Sequence, residues 1–358
     1  MEAGGLYSKH NPNSFCTVER LLPVVRKAAV STESLDDESV FTYIDHGTAD
    51  GGVGSVLAKA VVDRVKSINK AKPIHIVFED QPQNDFSPIL TKHQKTISNG
   101  FEDVFVSVVG RNFYEQCLPS ETVDVSFSAV AAHWSDLETD AEHELPPPFS
   151  PLGSSLKWRN ETKNNDDWER FLVHRAHELK ANGQLVVVHM LLPTDLEGTS
   201  PTDKAYSTLN GTYSLLFNVY EELQKEGRLN ETENFSSPIK FRTKEELEEP
   251  FLNISSAVQQ AGFSLRSIQK IAVACPNTKL FGEGKLSKEE YGQALAVCLR
   301  SWSYSLVVNS LDVGRSKEDK DLLVEDIFAR LAELITAKVP HVGLPYPMAI
   351  VVAKKVGY

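Results

Sequence analysis

A strand, a glycine-rich turn, a helix and a second strand are predicted in direct succession in the first quarter of this chain. The run VFTYIDH (40–46) combines β-branched and aromatic residues and stops at the glycine cluster GTADGGVGS. The next segment, SVLAKAVVDRVKSI, repeats apolar residues at helical spacing, and the run PIHIVFED then ends in two acids. This succession predicts the opening of a nucleotide-binding α/β fold.

Later segments continue the alternation of strands and helices. The runs VDVSFSAV (123–130) and QLVVVHMLL (184–192) predict two more strands, and Asn182-Gly183 predicts the end of the helix before the second. We therefore predict a doubly wound α/β fold with a mostly parallel sheet and helices on both faces. The segment 139–167, rich in Glu, Pro and Asn, predicts a long irregular loop.

The regular alternation stops after residue 191, which predicts three parts. Residues 1–191 would form the ligand-binding α/β core with an N-terminal substrate-gating segment, and residues 192–255 a helical cap insertion over the active site. Residues 256–358 would complete the core with C-terminal helices and a strand. This last part contains an amphipathic pattern near 319–338 and the final strand MAIVVAKK.

The composition limits the classes of binding partner and the cellular compartment that we expect for this protein. The 358 residues, 41% hydrophobic and 24% charged, are those of an ordinary globular protein, and the net charge of −12 argues against nucleic acid or an anionic membrane as a partner. Neither a secretory signal nor a membrane-spanning run is recognisable, and the four cysteines are scattered. We expect a cytoplasmic protein with reduced thiols.

Three features of the predicted strand ends indicate a nucleoside site. Asp45 directly precedes the glycines, where backbone can approach a ligand closely. Glu79 and Asp80 end the second strand, and an acid there accepts hydrogen bonds from ribose hydroxyls. The loop GRNFY (110–114) offers an aromatic ring and an amide for an adenine. Because the GxGxxG spacing and the Walker lysine are missing, an adenosyl ligand without pyrophosphate is favoured, although the glycines could also serve only as turns.

Four sequence blocks then occur in a fixed order: DHGTADGGV (45–53), EDQPQNDF (79–86), NFYEQCLP (112–119) and SAVAAHW (128–134), preceded by Asn13-Ser14. They resemble the SABATH methyltransferases, a family that includes salicylate, benzoate and jasmonate carboxyl methyltransferases and caffeine synthase. The corresponding family patterns are Asp-Leu-Gly-Cys-Ser-Ser-Gly-Pro-Asn, Asn-Asp-Leu-Pro-x-Asn-Asp-Phe, a Ser-Phe-Tyr loop, and Ser-Ser-Tyr-Ser-Leu-His-Trp. The resemblance implies a class I methyltransferase fold, S-adenosylmethionine as cofactor and a homodimer.

The resemblance also implies which residues bind the cofactor. Asp45 would lie near its methionine end, Asp80 would hold the ribose hydroxyls, and Ser14 would contact the methionine moiety. Asn112 and Phe113 would contact the adenosine. The full predicted cofactor-binding set is Ser14, Asp45, Gly47, Asp80, Gln81, Asn112, Phe113, Ser128 and Ala129.

For the methyl acceptor, the resemblance implies a carboxylate of a small organic acid. A carboxylate is ionised at neutral pH, so positioning replaces a general base and no catalytic residue is predicted. Thr17 and Val130 stand where the family has a carboxylate-binding glutamine and a pocket tyrosine, and Trp134 offers an indole N–H. The predicted substrate-binding set is Thr17, Val130, His133, Trp134, Tyr213, Lys240 and Phe241.

Two other functions remain open from the sequence: N-methylation of a small heteroaromatic amine, and a non-catalytic partner protein. A metal is not predicted. His174 and His177 stand three residues apart on a helix without a third ligand nearby. The segment 233–236, ENFS, lacks the last residue of the Asp-x-Phe-Asn pattern proposed to hold magnesium in some family members.

Overall fold

The computed structural model describes residues 6–32, 35, 38–135, 166–192, 204–235 and 239–356. Within these residues seven strands form one sheet in the order β3-β2-β1-β4-β5-β7-β6. Six of these strands run in the same direction, and β7 runs in the opposite direction. The predicted mostly parallel α/β fold is thereby confirmed. The strands are β1 (Phe41–His46), β2 (Ile74–Asp80), β3 (Val104–Gly110), β4 (Val123–Ala129), β5 (Leu179–Met190), β6 (Phe263–Val273) and β7 (Tyr346–Lys355).

Helices lie on both faces of this sheet. One hydrophobic core contains residues of α3, α4, α7, α11 and α12, and a second contains residues of α6, α8 and α9. In chain order the helices are α1 (Leu6–His10), α2 (Pro12–Cys16), α3 (Val18–Ala29), α4 (Gly52–Ile68), α5 (Gln94–Ser98), α6 (Asp166–Glu178), α7 (Lys204–Lys225), α8 (Lys244–Leu252), α9 (Ala257–Gln260), α10 (Pro276–Gly282), α11 (Lys288–Ser310) and α12 (Lys317–Lys338).

Successive side chains of the central strands belong alternately to the two cores. Tyr43 of β1 and Phe78 of β2 lie in the first core, whereas Ile44 and Val77 lie in the second. Both faces are covered, so these strands read as continuous apolar runs until they reach their ends. The alternation assigns the polar residues at the strand ends to opposite faces.

The predicted helix end at Asn182-Gly183 is wrong. Helix α6 ends at Glu178, and β5 begins at Leu179 and includes both residues. Asn182 has a φ of 64°, and the register between β4 and β5 shifts near here. The Asn-Gly pair therefore serves an irregularity within the strand, which requires the same backbone conformation as a helix C-terminus.

The C-terminal part holds one more long helix than was predicted. The amphipathic pattern near 319–338 corresponds to α12, but α11 (Lys288–Ser310) was not anticipated. Most of the predicted loop 139–167, namely residues 139–165, and parts of the predicted cap, residues 193–203 and 236–238, lie outside the described residues. Among the helices that are described, none has the length and apolar character required to cross a membrane.

Candidate active site

A cavity of about 540 Å³ opens at the carboxyl ends of β1, β2 and β4. Strand β1 lies between β2 and β4, where the strand order of a doubly wound sheet reverses and ligands characteristically bind. The glycine turn, the loop after β3, the chain after β4 and helices α1, α2, α7 and α11 all contribute lining residues. The cavity thus brings together residues from distant parts of the sequence.

Asp45 lies on the cavity side of β1, one residue before the strand ends. It is almost fully buried, and this burial, together with the nearby Asp80 charge, raises the pKa of Asp45 to about 7. A Cβ on Gly54 would lie 2.0 Å from Asp45 Oδ2, so only glycine allows α4 to begin this close to the carboxylate. A buried acid in this position suits a ligand that carries positive charge.

Asp80 fixes the shape of the glycine turn. Its Oδ2 accepts a hydrogen bond from the Ala49 N–H at 2.7 Å, and its Oδ1 accepts one from the Gln81 N–H at 2.8 Å. Burial raises the pKa of Asp80, although these two N–H donors act in the opposite direction. Ala49 has a φ of 57°, an uncommon conformation for a residue with a Cβ. The carboxylate therefore holds an unusual turn conformation while it also lines the cavity.

The buried ion pair of Arg175 and Glu178 holds the loop after β3 in place. Arg175 donates to the carbonyls of Phe113 at 2.7 Å and Glu115 at 2.8 Å, and to both carboxylate oxygens of Glu178. Glu178 in turn accepts from the N–H groups of Cys117 and Leu118. This network orients the Phe113 ring at the edge of the cavity.

The N-terminal helices cover the glycine turn. Asp50 accepts hydrogen bonds from the Ser8 N–H at 2.8 Å and the Ser8 hydroxyl at 2.5 Å. The Ser14 hydroxyl donates to the Asn11 carbonyl, and the Thr17 hydroxyl donates to the Ser14 carbonyl at 2.6 Å. Tyr7, which precedes Ser8, also lines the cavity, as do Asn11, Ser14 and Thr17.

His133 and Trp134 form the wall that follows β4. Burial lowers the pKa of His133 to about 3, so its imidazole is neutral, and its Nδ1 has no hydrogen-bond partner among the described residues. An isolated bridge pairs Trp134 with Ile239, and the Lys240 N–H donates to the His133 carbonyl at 2.7 Å. The Tyr114 hydroxyl donates to the Trp134 carbonyl at 2.6 Å. The wall is thus fixed from two sides.

The charged side chains along the cavity all have the same sign. Among the described residues that line it, the charged side chains are all acids, and lysine and arginine are both missing. The acids are Asp45, Asp50, Asp80 and Asp85. A negatively charged ligand group would therefore have to be held by neutral donors or by a cationic second ligand.

Most of the predicted site residues line this one cavity. From the predicted cofactor set it contains Ser14, Asp45, Gly47, Asp80, Gln81, Asn112, Phe113 and Ala129. From the predicted substrate set it contains Thr17, Val130, His133, Trp134, Tyr213 and Phe241.

Two predicted site residues do not line the cavity, each because side chains alternate along extended backbone. Ser128 lies on the opposite face of β4 from Ala129 and donates its hydroxyl to the His46 carbonyl at 3.0 Å. Lys240 lies between Ile239 and Phe241, and those two neighbours are the lining residues. A one-residue difference in an extended segment moves a side chain to the other face.

Several lining residues were missed in the sequence. Trp302 and Ser305 come from α11, Tyr346 from the start of β7, Tyr7 from α1, and Asn11 from the position between α1 and α2. The Trp302 and Trp134 rings meet edge to face at 6.1 Å. The signal available was the aromatic content of LRSWSYS (299–305), which helical periodicity alone would have assigned to the core.

Comparisons with known proteins relate the sequence to methyltransferases. Residues 12–145 match the profile of a family described as SAM-dependent carboxyl methyltransferase. Methyltransferase FUS9 of Gibberella moniliformis is 23% identical over 352 residues, which cover 93% of this chain and 91% of that protein. O-methyltransferase acrG of Aspergillus aculeatus is 28% identical over 195 residues, 52% of this chain and 50% of that protein.

The fold has a solved counterpart of matching extent. Loganic acid methyltransferase with SAH superposes with a TM-score of 0.74 at 17% identity, and the match covers 100% of this chain and 98% of that one. At this identity the likeness concerns the fold alone. The arrangement of sheet and helices around the cavity is therefore that of a known methyltransferase architecture.

Proposed function

We propose that the chain is a SAM-dependent methyltransferase of the SABATH type and that it methylates the carboxylate of a small organic acid. The match of residues 12–145 to the profile of SAM-dependent carboxyl methyltransferases supports this proposal. S-adenosylmethionine supplies an electrophilic methyl group on a positively charged sulfur. The protein then has to bind this cofactor, exclude water and hold the acceptor oxygen near the methyl carbon.

The residues of the cavity fit the cofactor chemically. Asp45, buried and with its pKa raised to about 7, gains a favourable partner when a cationic group binds beside it. Asp80 is suited to accept hydrogen bonds from ribose hydroxyls, since an acid at the end of the second strand has this role in related folds. Phe113 and Asn112 offer a ring and an amide for an adenine.

The observation that carries the carboxylate proposal is the neutral donor wall formed by His133 and Trp134. His133 Nδ1 has no partner among the described residues and donates in the neutral tautomer that carries its proton there, and Trp134 has an indole N–H, which can only donate. Neutral donors orient a carboxylate without neutralising it, so its oxygen keeps the electron density needed to attack a methyl group. A lysine in the same place would hold the acid more tightly and reduce its nucleophilicity.

The cavity also supports an acceptor larger than salicylate. Val130 and Thr17 are smaller than the tyrosine and glutamine of the family pattern, so side-chain volume is lost at two points of the lining. Aromatic rings from Trp302, Tyr213 and Phe241 face the same space. An apolar acid with a ring or a branched chain would fill this volume and bury its surface against these rings.

The chemistry of the product tests the proposal. The protein is incubated with isotopically labelled S-adenosylmethionine and a panel of small acids, and the labelled product is treated with mild base. A methyl ester releases labelled methanol, whereas an N-methyl group is retained. A base-stable product from every accepted substrate would contradict carboxyl methylation.

N-methylation of a heteroaromatic amine is the second candidate. It is favoured by Thr17 in place of the carboxylate-binding glutamine and by the missing cations among the described lining residues, because a neutral amine needs neither. An aromatic amine would stack on the same rings, and His133 Nδ1, in the neutral tautomer that leaves it unprotonated, could accept the N–H of the amine. The base treatment separates the two candidates directly.

A further inference from the structure

A second cluster of reactive side chains lies on the opposite face of the sheet from the cavity. His46 follows Asp45 in β1, and Glu79 precedes Asp80 in β2, so alternation turns both away from the cavity. Cys117, from the loop after β3, completes the cluster. All three side chains are buried, and none of them lines the cavity.

The geometry of the three side chains is that of potential metal ligands. One ligand atom from each residue lies within 4.8 Å of the other two, and His46 Nδ1 is 3.1 Å from Glu79 Oε2. The His46–Glu79 separation, a hydrogen-bonding contact in the metal-free protein, is a few tenths of an ångström shorter than the roughly 3.4 Å between two such ligands of a tetrahedral ion. A contraction of about 1 Å would bring the third ligand into the same shell.

Two fully buried polar atoms of this cluster have no hydrogen-bond partner among the described residues. These are His46 Nε2 and Glu79 Oε1. A buried polar atom without a partner is uncommon and destabilises the folded protein. Both His46 and Glu79 are completely excluded from solvent, so bulk water does not satisfy these atoms.

The surrounding charges balance those of a divalent cation. Glu178 Oε2 lies 3.9 Å from His46 Nε2 and is held by the Arg175 guanidinium, which neutralises it. When His46 binds a metal through Nδ1, its Nε2–H points towards a carboxylate, as in the carboxylate–histidine–metal arrangement. A bound ion would displace the protons of the Glu79 carboxyl and the Cys117 thiol, and the two resulting negative charges would match the charge of one divalent ion.

We infer that His46, Glu79 and Cys117 form a structural binding site for a divalent transition-metal ion, and the mixture of nitrogen, sulfur and oxygen donors favours zinc. Three protein ligands leave a fourth position of a tetrahedral zinc shell for water or a further oxygen.

The site is a departure of this chain from the SABATH pattern. That pattern has leucine and asparagine where this chain has His46 and Glu79. The two residues are register partners between β1 and β2, so the two departures are in direct contact. A leucine and an asparagine at these positions would remove the imidazole and the carboxylate together.

The metal would connect the elements that surround the cofactor cavity. The Glu79 carbonyl accepts the N–H groups of Gly47 at 2.9 Å and Thr48 at 3.0 Å, which begin the glycine turn. Cys117 belongs to the loop that presents Phe113 to the cavity. An ion between Glu79 and Cys117 would fix the turn and the loop relative to each other. It would do so without contacting the cofactor or the methyl acceptor.

The experiment compares the full-length protein with the double variant His46→Leu/Glu79→Asn, which reproduces the SABATH residues. Both are prepared, stripped with a strong chelator under mild denaturation, refolded with and without zinc chloride, and analysed by mass spectrometry of the elements. We expect about one zinc per wild-type chain, less than about 0.1 in the double variant, and a zinc-dependent rise in melting temperature for the wild type alone.

His177→Leu serves as the matched control, because it removes a histidine from the surface of α6 and should leave the zinc content unchanged. Cobalt loading tests the thiolate directly: the wild type should show a sulfur-to-cobalt absorption band, and Cys117→Ser should lose it. Zinc in equal amounts in wild type and double variant would overturn the assignment. So would a wild-type protein that takes up neither zinc nor cobalt, whether or not the variants fold.

Discussion

The N–H of Ala49 donates to the Asp80 carboxylate at 2.7 Å, which joins the glycine turn after β1 to the end of β2. The same carboxylate lines the cavity. One side chain therefore fixes the turn and faces the cavity in which we propose that the cofactor binds. A substitution of Asp80 is expected to weaken cofactor binding more than it weakens binding of the methyl acceptor.

Substituting Asp80→Asn should weaken binding of S-adenosylmethionine by about 10- to 100-fold. The variant loses a charged acceptor, and such hydrogen bonds contribute about 1.5–3 kcal/mol. Titration calorimetry measures the dissociation constant directly. Asp63→Asn, a change at a half-exposed carboxylate on α4, is the control. Equal affinity in wild type and Asp80→Asn would show that Asp80 does not contact the ribose.

Cofactor affinity should increase as the pH rises through the pKa of Asp45, which burial raises to about 7. Below that pH the carboxyl is protonated in the free protein, whereas a cationic ligand prefers the carboxylate, so binding releases a proton. The affinity at about pH 8 should exceed that at about pH 6 by roughly tenfold.

Asp45→Asn should weaken binding and flatten this pH profile, as judged by calorimetry at several pH values. The neighbouring Asp80, whose pKa is also raised, is unchanged in this variant. The pH dependence that remains in Asp45→Asn is therefore the contribution of Asp80, and the part that is lost is the contribution of Asp45. A profile in Asp45→Asn as steep as in the wild type would assign the proton to another group.

Replacing Trp134→Phe should lower kcat/KM for the acceptor by one to two decades, because one hydrogen bond to a charged group is lost, at a cost of about 1.5–3 kcal/mol. The KM for S-adenosylmethionine should change little. Trp302→Phe, at the ring that meets Trp134 edge to face, should have a smaller effect. Nearly full activity in Trp134→Phe would favour the N-methylation alternative.

Val130→Tyr should narrow the range of acceptors. Val130 lines the cavity with a φ of 52°, so a residue without β-branching is no more strained there than valine. Large acids should lose about tenfold or more in kcat/KM, in line with an overpacking cost of 1–3 kcal/mol, while benzoate-sized acids keep their rates. Val130→Ala is the opposite change and should preserve the large acids. An equal loss for all acids would argue against a size effect.

Glu178→Ala should destabilise the protein by about 3–5 kcal/mol, since it leaves the buried Arg175 guanidinium without its charged partner. Urea unfolding measures this change. The exposed Arg111–Glu115 pair supplies the control, and Glu115→Ala should alter the unfolding free energy by less than about 1 kcal/mol. Similar values for the two variants would mean that the buried pair contributes no more than a surface pair.

The parts of the fold that the sequence predicted correctly are those written in local patterns. Strand β1, its glycine turn and strand β2 follow one another within the chain, so periodicity and turn residues located Asp45 and Asp80 at the strand ends. The same logic failed at Asn182-Gly183. A helix end and a strand irregularity use the same backbone conformation there, and only the pairing with β4 distinguishes them.

The far wall of the cavity depended on contacts between distant segments. Trp302 of α11 contacts Trp134, and the local sequence around either residue does not predict this contact. Lys240 and Ile239 differ by a single position, yet only Ile239 lines the cavity. Register in extended segments is decided by their partners, here the bridge between Ile239 and Trp134.

The alternation of side chains along β1 and β2 also separates two functions that adjacent residues could serve. Asp45 and His46 are adjacent in the chain, as are Glu79 and Asp80, yet each pair is split between the cavity and the opposite face. A substitution of Asp45 or Asp80 would change the cavity lining, whereas a substitution of His46 or Glu79 would change the protein interior on the other face. The buried pair His46 and Glu79 can therefore be changed together without replacing either carboxylate that faces the cavity.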